Sequence, residues 1–212
     1  MSIKDKYFVQ PVTKADYAGW ILKKHYAHKM PSVMFAFGLY DESLVGVCIF
    51  AMTSNYVEME AWKPYDLLEL SRLCVNDGLL KNVLSYFVSQ SIKLLPSPKA
   101  LISYSDIDWG HHGYIYQATN WLYTGVGGQG SRKFVLKGGD ELHQRHSDKI
   151  PDDMIENIEH SKGKHRYYYF HGNKTDKKKM RKMLRYDVLP YPKGDNKRYD
   201  ASYEPEVQNL LF

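Results

Sequence analysis

The order in which strand-like and helix-like segments follow one another restricts the fold of this chain more than any other feature. Residues 33-VMFAFGLYD-41 and 44-LVGVCIFAM-52 predict two strands joined by a hairpin turn, and 67-LLELSRLCV-75 predicts another strand. Residues 81–95 carry apolar side chains at helical spacing and are followed by prolines, which end a helix. Strands that alternate with helices in this way predict a mixed sheet with helices on its faces.

The remaining segments continue the pattern. Thr13 can begin a helix that extends to about Tyr26, with Asp16 completing a capping box at its start. The other predicted elements are strands at residues 7–12, 99–105, 121–125 and 132–138, a short helix at about 111–119 and a long loop at 53–66. The predicted fold class is therefore α/β, with a mixed central sheet flanked by helices.

Beyond this core the composition changes. The formal net charge of +5 arises from basic residues beyond residue 160, where a helix is predicted at 174–187. We therefore expect a catalytic core at 1–140 and an irregular basic extension at 141–212 that packs on it. Cys48 and Cys74 lie in apolar runs and are expected to be buried free thiols, as in a cytoplasmic protein. No segment has the length and apolarity of a membrane span.

The turn between the strand at 67–75 and the following helix is a candidate anion site. Free backbone N–H groups at the start of a helix favour a phosphate or pyrophosphate. Gly78 permits the turn, and Lys81 and Asn82 could reinforce binding. Residues 76-NDG-78 could equally serve only to make the turn.

The stretch 101-LISYSDIDWGHHGYIYQATNWLYTG-125 gathers groups that can transfer protons. Tyr104, Ser105 and Asp106 stand at the carboxyl end of a strand, where α/β sheets form ligand crevices. Asp106 could orient a histidine such as His111 as a general base, and Tyr116 follows on the next helix. In the alternative interpretation Asp106 caps that helix, the histidines bond nearby backbone and Tyr116 belongs to the core.

Two further groups of residues suggest binding. His25 and His28 lie one helical turn apart and could form a metal site with Asp106, although capping and surface histidines would look the same. The basic segment interleaves aromatic and cationic residues, which suits a DNA backbone, although a final strand and an amphipathic helix explain it as well. Its candidate DNA-binding residues are Lys164, Arg166, Lys177, Lys178, Lys179, Arg181 and Arg185.

The element order, with an anion-binding turn after the fourth strand, resembles the GNAT acyltransferase superfamily. This resemblance implies that the strand and turn hold the pantetheine and pyrophosphate of an acyl-coenzyme A, such as acetyl-CoA. The cofactor-binding candidates are then Leu73, Cys74, Val75, Gly78, Lys81 and Asn82. The usual Q/R-x-x-G-x-G/A signature is absent, because 76-NDGLLKN-82 contains one glycine.

The runs 101-LISYSD-106, 110-GHHG-113 and 115-IYQATNWLYTG-125 resemble the Mom family of phage DNA-modification proteins, a divergent branch of the GNAT fold. Matching pieces occur in order at 25-HYAHKMPS-32, 69-ELSRLCVNDG-78, 165-HRYYYF-170 and 185-RYDVLPYPK-193. The resemblance implies transfer of a carbamoylmethyl group to N6 of adenine in DNA, which protects phage DNA from host restriction enzymes. Iron binding is a further implication for the family.

On this interpretation the adenine is flipped out of double-stranded DNA and stacks on Tyr116, Trp109 or Tyr26. Asp106 would act as orienter or base, His111 or His28 as proton acceptor, and Tyr116 as proton donor or base stacker. Two alternatives remain open at this point. One is a GNAT acetyltransferase acting on a protein or small-molecule amine, and the other is a non-catalytic anti-restriction protein that binds DNA.

Overall fold

The structure, a computed structural model, describes residues 2–139, 141–143 and 151–195. The strands are β1 (Phe8–Pro11), β2 (Val33–Asp41), β3 (Ser43–Met52), β4 (Leu67–Val75), β5 (Lys99–Asp106), β6 (Leu122–Gly127), β7 (Arg132–Leu136), β8 (Glu141–His143), β9 (Ile155–His160) and β10 (Lys164–His171). The helices are α1 (Ile3–Lys6), α2 (Lys14–Gly19), α3 (Tyr56–Ala61), α4 (Val83–Leu94), α5 (Tyr114–Ala118) and α6 (Lys174–Met183). A π-helical turn, Trp20–Lys24, continues α2.

Seven strands form the central sheet in the order β1-β2-β3-β4-β5-β10-β6. Every neighbouring pair is antiparallel except β4 and β5, which are parallel and are connected through α4. The predicted class, a mixed α/β sheet with flanking helices, is therefore confirmed. A separate three-stranded sheet has the order β8-β7-β9.

Alternation along the strands divides the core between the two faces of the central sheet. Leu101 and Tyr167 pack with Phe87 of α4 and Tyr116 of α5 on one face. Ile102 and its neighbours on the opposite face pack against α3 and α6, in a cluster that includes Leu67, Tyr168, Trp62 and Met180. Residues of β5 with odd numbers therefore face α4 and α5, and those with even numbers face α3 and α6.

The structure differs from the sequence prediction in the helices. The predicted helix from Thr13 to about Tyr26 is α-helical only to Gly19, and its last part is the π-helical turn. The capping box is present, with the Thr13 backbone N–H and hydroxyl both donating to Asp16 Oδ2 at 2.7 Å. The predicted loop at 53–66 contains α3, which is too short to give a clear helical period in the sequence.

The strands beyond residue 130 also differ from the prediction. The strand expected at 132–138 is β7, and it belongs to the small sheet instead of the central one. β10 comes from the segment expected to pack on the core as an extension, yet it lies inside the central sheet between β5 and β6. The part of residues 141–212 that the structure describes therefore completes the sheet, and the division at residue 140 stays a prediction.

A buried carboxylate fixes the segment that follows α6. Glu58 of α3 is 3% exposed and accepts hydrogen bonds from the hydroxyl groups of Tyr168 at 2.8 Å and Tyr186 at 2.5 Å. The chain then runs along the edge strand β6, where Leu189 N–H donates to the Tyr123 carbonyl at 2.9 Å. Further along, the Gly194 carbonyl accepts a hydrogen bond from the Tyr114 hydroxyl of α5 at 2.9 Å.

Among the described strands, the central sheet separates between β4 and β5. β4 pairs with β5 from Leu67 to Glu69, opposite Ala100 to Ile102, and the two strands separate beyond that point. β4 nevertheless stays paired with β3 as far as Val75, and β5 stays paired with β10 as far as Asp106. The separation therefore makes a wedge-shaped gap inside an otherwise continuous sheet. Within the described residues, no helix is long and apolar enough to cross a bilayer.

Candidate active site

The wedge between β4 and β5 is a crevice of about 310 Å³. A cavity of this size is within the range of small-ligand sites. Its lining comes from β4, β5, the end of the π-helical turn and the residues in and before α5. The lining residues are Lys24, His25, Tyr26, Leu70, Ser71, Leu73, Cys74, Val75, Asp77, Leu84, Tyr104, Ser105, His111, Gly113, Tyr114, Ile115 and Tyr116.

A short hydrogen-bond chain closes the apex of the wedge. The Ser103 hydroxyl lies 2.7 Å from the Leu70 carbonyl oxygen and 2.7 Å from the Tyr116 hydroxyl oxygen. Because a carbonyl only accepts, the single Ser103 proton goes to Leu70, and the Tyr116 hydroxyl donates to Ser103 Oγ. Ser103 thus replaces the ladder bond that the separating strands have lost.

The hydroxyl of Tyr116 stays protonated in this arrangement. Its side chain is buried, and burial raises the pKa of its hydroxyl well above the usual value. The phenol therefore keeps its proton at neutral pH while it lines the crevice. Tyr104, on the other face of β5, also lines the crevice, and burial raises the pKa of its hydroxyl as well.

An aromatic group forms one wall of the crevice and its rim. The Tyr26 ring lies 4.4 Å from the His25 ring, 5.3 Å from Trp109 and 5.5 Å from His111, measured between centroids. Trp109 is 44% exposed, whereas burial lowers the pKa of His111 even though nearby Asp106 opposes this shift. His111 is therefore a neutral imidazole at physiological pH, bordered by rings on which a planar ligand could stack.

The carboxylate of Asp106 contacts Lys164 and the Asp108 backbone, and it does not orient His111. Asp106 Oδ2 lies 2.9 Å from the Lys164 ammonium, and Oδ1 accepts the Asp108 backbone N–H at 3.1 Å. His111 instead meets Asp106 through its backbone N–H, which donates to the Asp106 carbonyl at 3.0 Å. Asp106 thus acts on the His111 ring only through its charge.

His28 is not among the residues that line the crevice. Its backbone has a φ of 44°, and its Nδ1 lies 3.0 Å from the Leu22 carbonyl oxygen. His25 does line the crevice, but the metal site predicted from His25, His28 and Asp106 is wrong. Among the described residues, no three His, Cys, Asp or Glu side chains are grouped so that they could hold a metal ion.

The predicted donor-binding residues fall into two sets. Leu73, Cys74 and Val75 line the crevice along the part of β4 that β5 has left, and burial raises the pKa of the Cys74 thiol to about 12. Gly78, Lys81 and Asn82 lie exposed in the turn beyond it. Asn82 is the N-cap of α4 in the left-handed conformation, and its side chain does not cap the helix.

The predicted DNA-binding residues also divide. Lys164 pairs with Asp106, while Arg166 donates to the Thr124 hydroxyl and carbonyl and lies 3.3 Å from the Tyr186 ring centroid. Both therefore have structural partners. The others are exposed on or just after α6, namely Lys177, Lys178, Lys179, Arg181 and Arg185.

Sequence reasoning missed several lining residues, chiefly Lys24, Ser71 and Asp77. Lys24 is 7% exposed, and its ammonium lies 5.9 Å from the centroid of the Trp20 ring. A buried lysine here follows from the π-helical turn, which rotates residues 20–24 away from the positions that an α-helix would give them. The run Lys23-Lys24-His25 in the sequence carries no signal of that rotation.

A mixed sheet with a gap between two parallel strands, connected through a helix, is the arrangement of the GNAT acyltransferase fold. The chain belongs to the Mom protein family, whose model matches residues 6–193.

Solved structures give similarities at low identity, and no curated protein sequence matches the chain. A Bacillus subtilis acetyltransferase in complex with CoA is 12% identical, with a TM-score of 0.42, over 78% of this chain and 99% of that one. A spermidine/spermine N-acetyltransferase from Vibrio cholerae, solved in mutant forms, is 8% identical, with a TM-score of 0.42, over 85% and 99%. The fold assignment rests on the chain's own strand order.

Proposed function

We propose that this protein is a transferase that modifies N6 of adenine in double-stranded DNA, with acetyl-CoA or a related acyl-CoA as donor. The observation that carries the proposal is the wedge between β4 and β5, in which His111 and Tyr116 border one space. A proton acceptor and a proton donor on the same crevice are what a transfer to an amine requires. Membership of the Mom family supports adenine in DNA as the acceptor.

The chain offers a suitable surface for the donor. Between Leu70 and Val75 the backbone of β4 faces the gap instead of β5, so an extended amide-containing chain could lie there as an added strand. Leu73 and Val75 make this edge apolar, and it leads towards the turn before α4. α4 has 12 residues, and the backbone N–H groups at its start suit the pyrophosphate of a coenzyme.

The transfer itself can be written with this chain's residues. N6 attacks the thioester carbonyl carbon, so that a C–N bond forms and the C–S bond breaks. His111 receives the proton from nitrogen, because its lowered pKa leaves the ring neutral before reaction. Tyr116 is the candidate proton donor to the departing sulfur: its raised pKa keeps the hydroxyl protonated, and its proton must turn from Ser103 Oγ towards the sulfur for the transfer.

An adenine N6 inside a duplex is out of reach, so the base must leave the stack before it reacts. Tyr26 and Trp109 at the rim could receive it, since both rings are next to His111 or to each other. The exocyclic amine is a weak nucleophile because its lone pair is delocalised into the ring. His111 is only partly buried, so a bound base would have to exclude water from it to favour the reaction.

The basic side chains of α6 and Arg185 would hold the phosphate backbone. α6 is well placed to present them, because Met180 is fully buried against the core while the lysines on the other side stay exposed. In this account the modified adenine protects phage DNA from restriction inside the infected bacterium. The step written above gives an N6 amide, and the carbamoylmethyl group that the family implies, which is joined through its methylene carbon, is the alternative product that the test distinguishes.

The test uses the full-length protein with a DNA duplex and acetyl-CoA. Release of free thiol is followed together with mass spectrometry of the digested nucleosides. DNA-dependent thiol release with a new adenine nucleoside supports the proposal, and fragmentation tells an N6 amide from a carbamoylmethyl group joined through its methylene carbon. Thiol release with polyamines or peptides but not with DNA would replace it by an ordinary acetyltransferase.

A further inference from the structure

A second cavity, of about 530 Å³, lies where the loop after β5 meets the small sheet. A cavity of this size is within the range of small-ligand sites. Its walls come from that loop, from β7 and β9, and from the chain just before β10, and none of its lining residues lines the crevice. The lining residues are Asp108, Trp109, Lys133, Glu159, His160 and Lys162.

Hydrogen bonds join the loop after β5 to the chain between β9 and β10. Asp108 Oδ2 accepts the Ser161 hydroxyl at 2.9 Å, and Asp108 Oδ1 accepts the Lys162 backbone N–H at 3.1 Å. The Ile107 backbone N–H donates to the Gly163 carbonyl at 3.2 Å. Because β9 leads directly into this chain segment, the small sheet is held beside the rim of the crevice.

The rings of Tyr26 and Trp109 lie between the crevice and the second cavity. Tyr26 lines the crevice, Trp109 lines the second cavity, and their ring centroids are 5.3 Å apart at an interplanar angle of 46°. Trp109 is 44% exposed, so its ring is open to a ligand. A base in the crevice can contact Tyr26 while another base contacts Trp109, because every base has a face that stacks on an aromatic ring.

The charged groups of the second cavity suit a nucleotide better than a bare anion. Lys133 and Lys162 supply two ammonium groups, which favour a phosphate. Glu159 is the in-register partner of Lys133, so a carboxylate lies on the same face of the small sheet as this lysine. A carboxylate disfavours a highly charged anion but accepts hydrogen bonds from the exocyclic amino groups of bases. A base with one phosphate therefore matches this mixture of charges.

We propose that the second cavity binds the nucleotide next to the modified adenine in the DNA substrate. Its base stacks on Trp109, and its phosphate contacts Lys133 and Lys162. The inference rests on the proposed function, because the adenine must occupy the crevice for its neighbour to reach Trp109. No bond is made or broken in this cavity. Contacts with the neighbouring nucleotide hold the strand in place and oppose the return of the adenine to the duplex.

Coenzyme A also carries a base and phosphates, but the proposed function places it along β4 and the start of α4. In the central sheet β4 is on one side of β5 and β10 is on the other, and the chain that leads into β10 lines the second cavity. We therefore expect DNA, and not coenzyme A, to cover Trp109.

Fluorescence quenching by acrylamide tests which ligand covers Trp109 in the full-length protein. Of the four tryptophans, Trp20, Trp62 and Trp121 are buried, so the quencher reaches mainly Trp109. A DNA duplex should lower the quenching constant, coenzyme A should leave it unchanged, and the effect of DNA should be absent in Trp109→Phe. Protection by coenzyme A but not by DNA would overturn the proposal.

Binding to altered duplexes tests the stacked base. A duplex of G·C pairs with one central A·T pair contains a single adenine, and the nucleotide on its 5′ or its 3′ side is made abasic. On one of these sides the wild type should lose affinity by roughly 5- to 150-fold, the usual value of one stacked base. Trp109→Ala should bind the intact and the abasic duplex equally. Tyr56→Ala is the matched control, because Tyr56 is an exposed aromatic residue that lines neither cavity.

The phosphate contact has its own test, which does not depend on Trp109. A methylphosphonate removes the charge of the phosphate between the adenine and that neighbour. The change should weaken binding by the wild type, and it should have little effect on the double variant Lys133→Gln, Lys162→Gln, which already lacks both ammonium groups. An equal loss in the two proteins would remove these lysines from the subsite.

Transfer assays separate failure of the subsite from failure of the proposed function. Thermal melting first shows that each variant is folded. His171→Gln is a control for substitution in β10, because His171 lies at the far end of that strand, paired with Lys99 of β5. Equal responses of wild type and Trp109→Ala to abasic neighbours on both sides would overturn the subsite, while modified adenine from wild type and His171→Gln would still support the proposed function. If the wild type modifies no adenine, the proposed function fails and the subsite fails with it.

Discussion

The hydroxyl of Tyr116 lies 2.7 Å from Ser103 Oγ at the point where β4 and β5 separate. The Ser103 hydroxyl donates a hydrogen bond to the Leu70 carbonyl, so the phenol must donate its hydrogen bond to the serine oxygen. Ser103 therefore bridges β4 and β5 at the apex of the wedge and also accepts the hydrogen bond of the Tyr116 hydroxyl, which lines the crevice.

Tyr116→Phe removes the hydroxyl and keeps the buried ring. We expect kcat for DNA modification to fall by roughly 100- to 10,000-fold, which is the usual contribution of a general acid. The free energy of unfolding should fall by only about 1 kcal/mol, the value of one neutral hydrogen bond. Ser103→Ala is the control, because it removes the partner of the hydroxyl and leaves the phenol present. Equal losses of kcat in the two variants would show that Tyr116 acts only through Ser103.

The acid limb of the pH–rate profile should belong to His111. Burial lowers the pKa of His111, so the ring stays neutral, and able to accept a proton, to a pH below its usual value of about 6.5. We expect kcat/KM to be constant above that value and to fall as the pH drops through the lowered pKa. His111→Gln should remove this limb together with most of the activity. A limb that survives in His111→Gln would identify another base.

Stability must be measured in the same pH range, because His25 also responds to acid. Its folded-state pKa of about 3 lies below the unfolded value of 6.5, so the unfolded chain binds more protons between the two. The contribution of His25 to stability is therefore constant above about pH 6.5 and falls by up to about 1.4 kcal/mol per pH unit below it. Urea unfolding at each pH gives the pH range in which the protein is still folded, and the pH–rate profile is interpreted only within that range.

Gly113→Ala should lower the free energy of unfolding, because Gly113 packs tightly beside the crevice. An added Cβ would come within 2.5 Å of the Tyr167 ring, which is fully buried and whose hydroxyl donates to the His112 carbonyl at 2.6 Å. The residue also has a φ of +71°, which costs alanine about 1–2 kcal/mol. We expect a total loss of about 2–5 kcal/mol in urea unfolding, because the clash adds to this strain.

Gly78→Ala is the matched control for this prediction. Its φ is +74°, but nothing lies within 4 Å of an added Cβ. The loss should therefore be only the strain of about 1–2 kcal/mol. If both variants lose the same amount, close packing against Tyr167 does not determine the position of α5.

Neutralising the exposed lysines of α6 should weaken DNA binding and make it less dependent on salt concentration. Lys177, Lys178 and Lys179 are exposed, while capping by Asn173 and burial of Met180 hold the helix without them. In the triple glutamine variant the slope of log K against log salt should decrease by about 0.9 for each lost phosphate contact. Lys14→Gln, at an exposed position of α2, is the control for loss of one positive charge outside α6. An unchanged slope in the triple variant would remove α6 from the interface.

Much of this arrangement follows from local sequence patterns, and the rest depends on contacts between distant segments. The hairpin of β2 and β3, β4, α4 and β5 follow from apolar periodicity and from prolines, which act locally. The insertion of β10 between β5 and β6 is a long-range pairing that periodicity cannot specify.

The site shows the same division. His111 and Tyr116 line the crevice as the sequence indicated, because they follow the end of β5 directly. The partner of Asp106 is Lys164, which only the pairing of β10 with β5 brings there. The tautomer of His25 depends on the backbone N–H of Ala27, which donates to Nδ1. These residues follow a π-helical turn, which the sequence pattern does not predict.

The most direct test of the central claim is the composition of DNA from bacteria that express this protein. Genomic DNA is digested to nucleosides and analysed by mass spectrometry for wild type, Tyr116→Phe and His171→Gln at equal soluble expression. We predict an N6-modified deoxyadenosine with wild type and His171→Gln, and its near absence with Tyr116→Phe. Unmodified deoxyadenosine from well-expressed, folded wild type would contradict the claim.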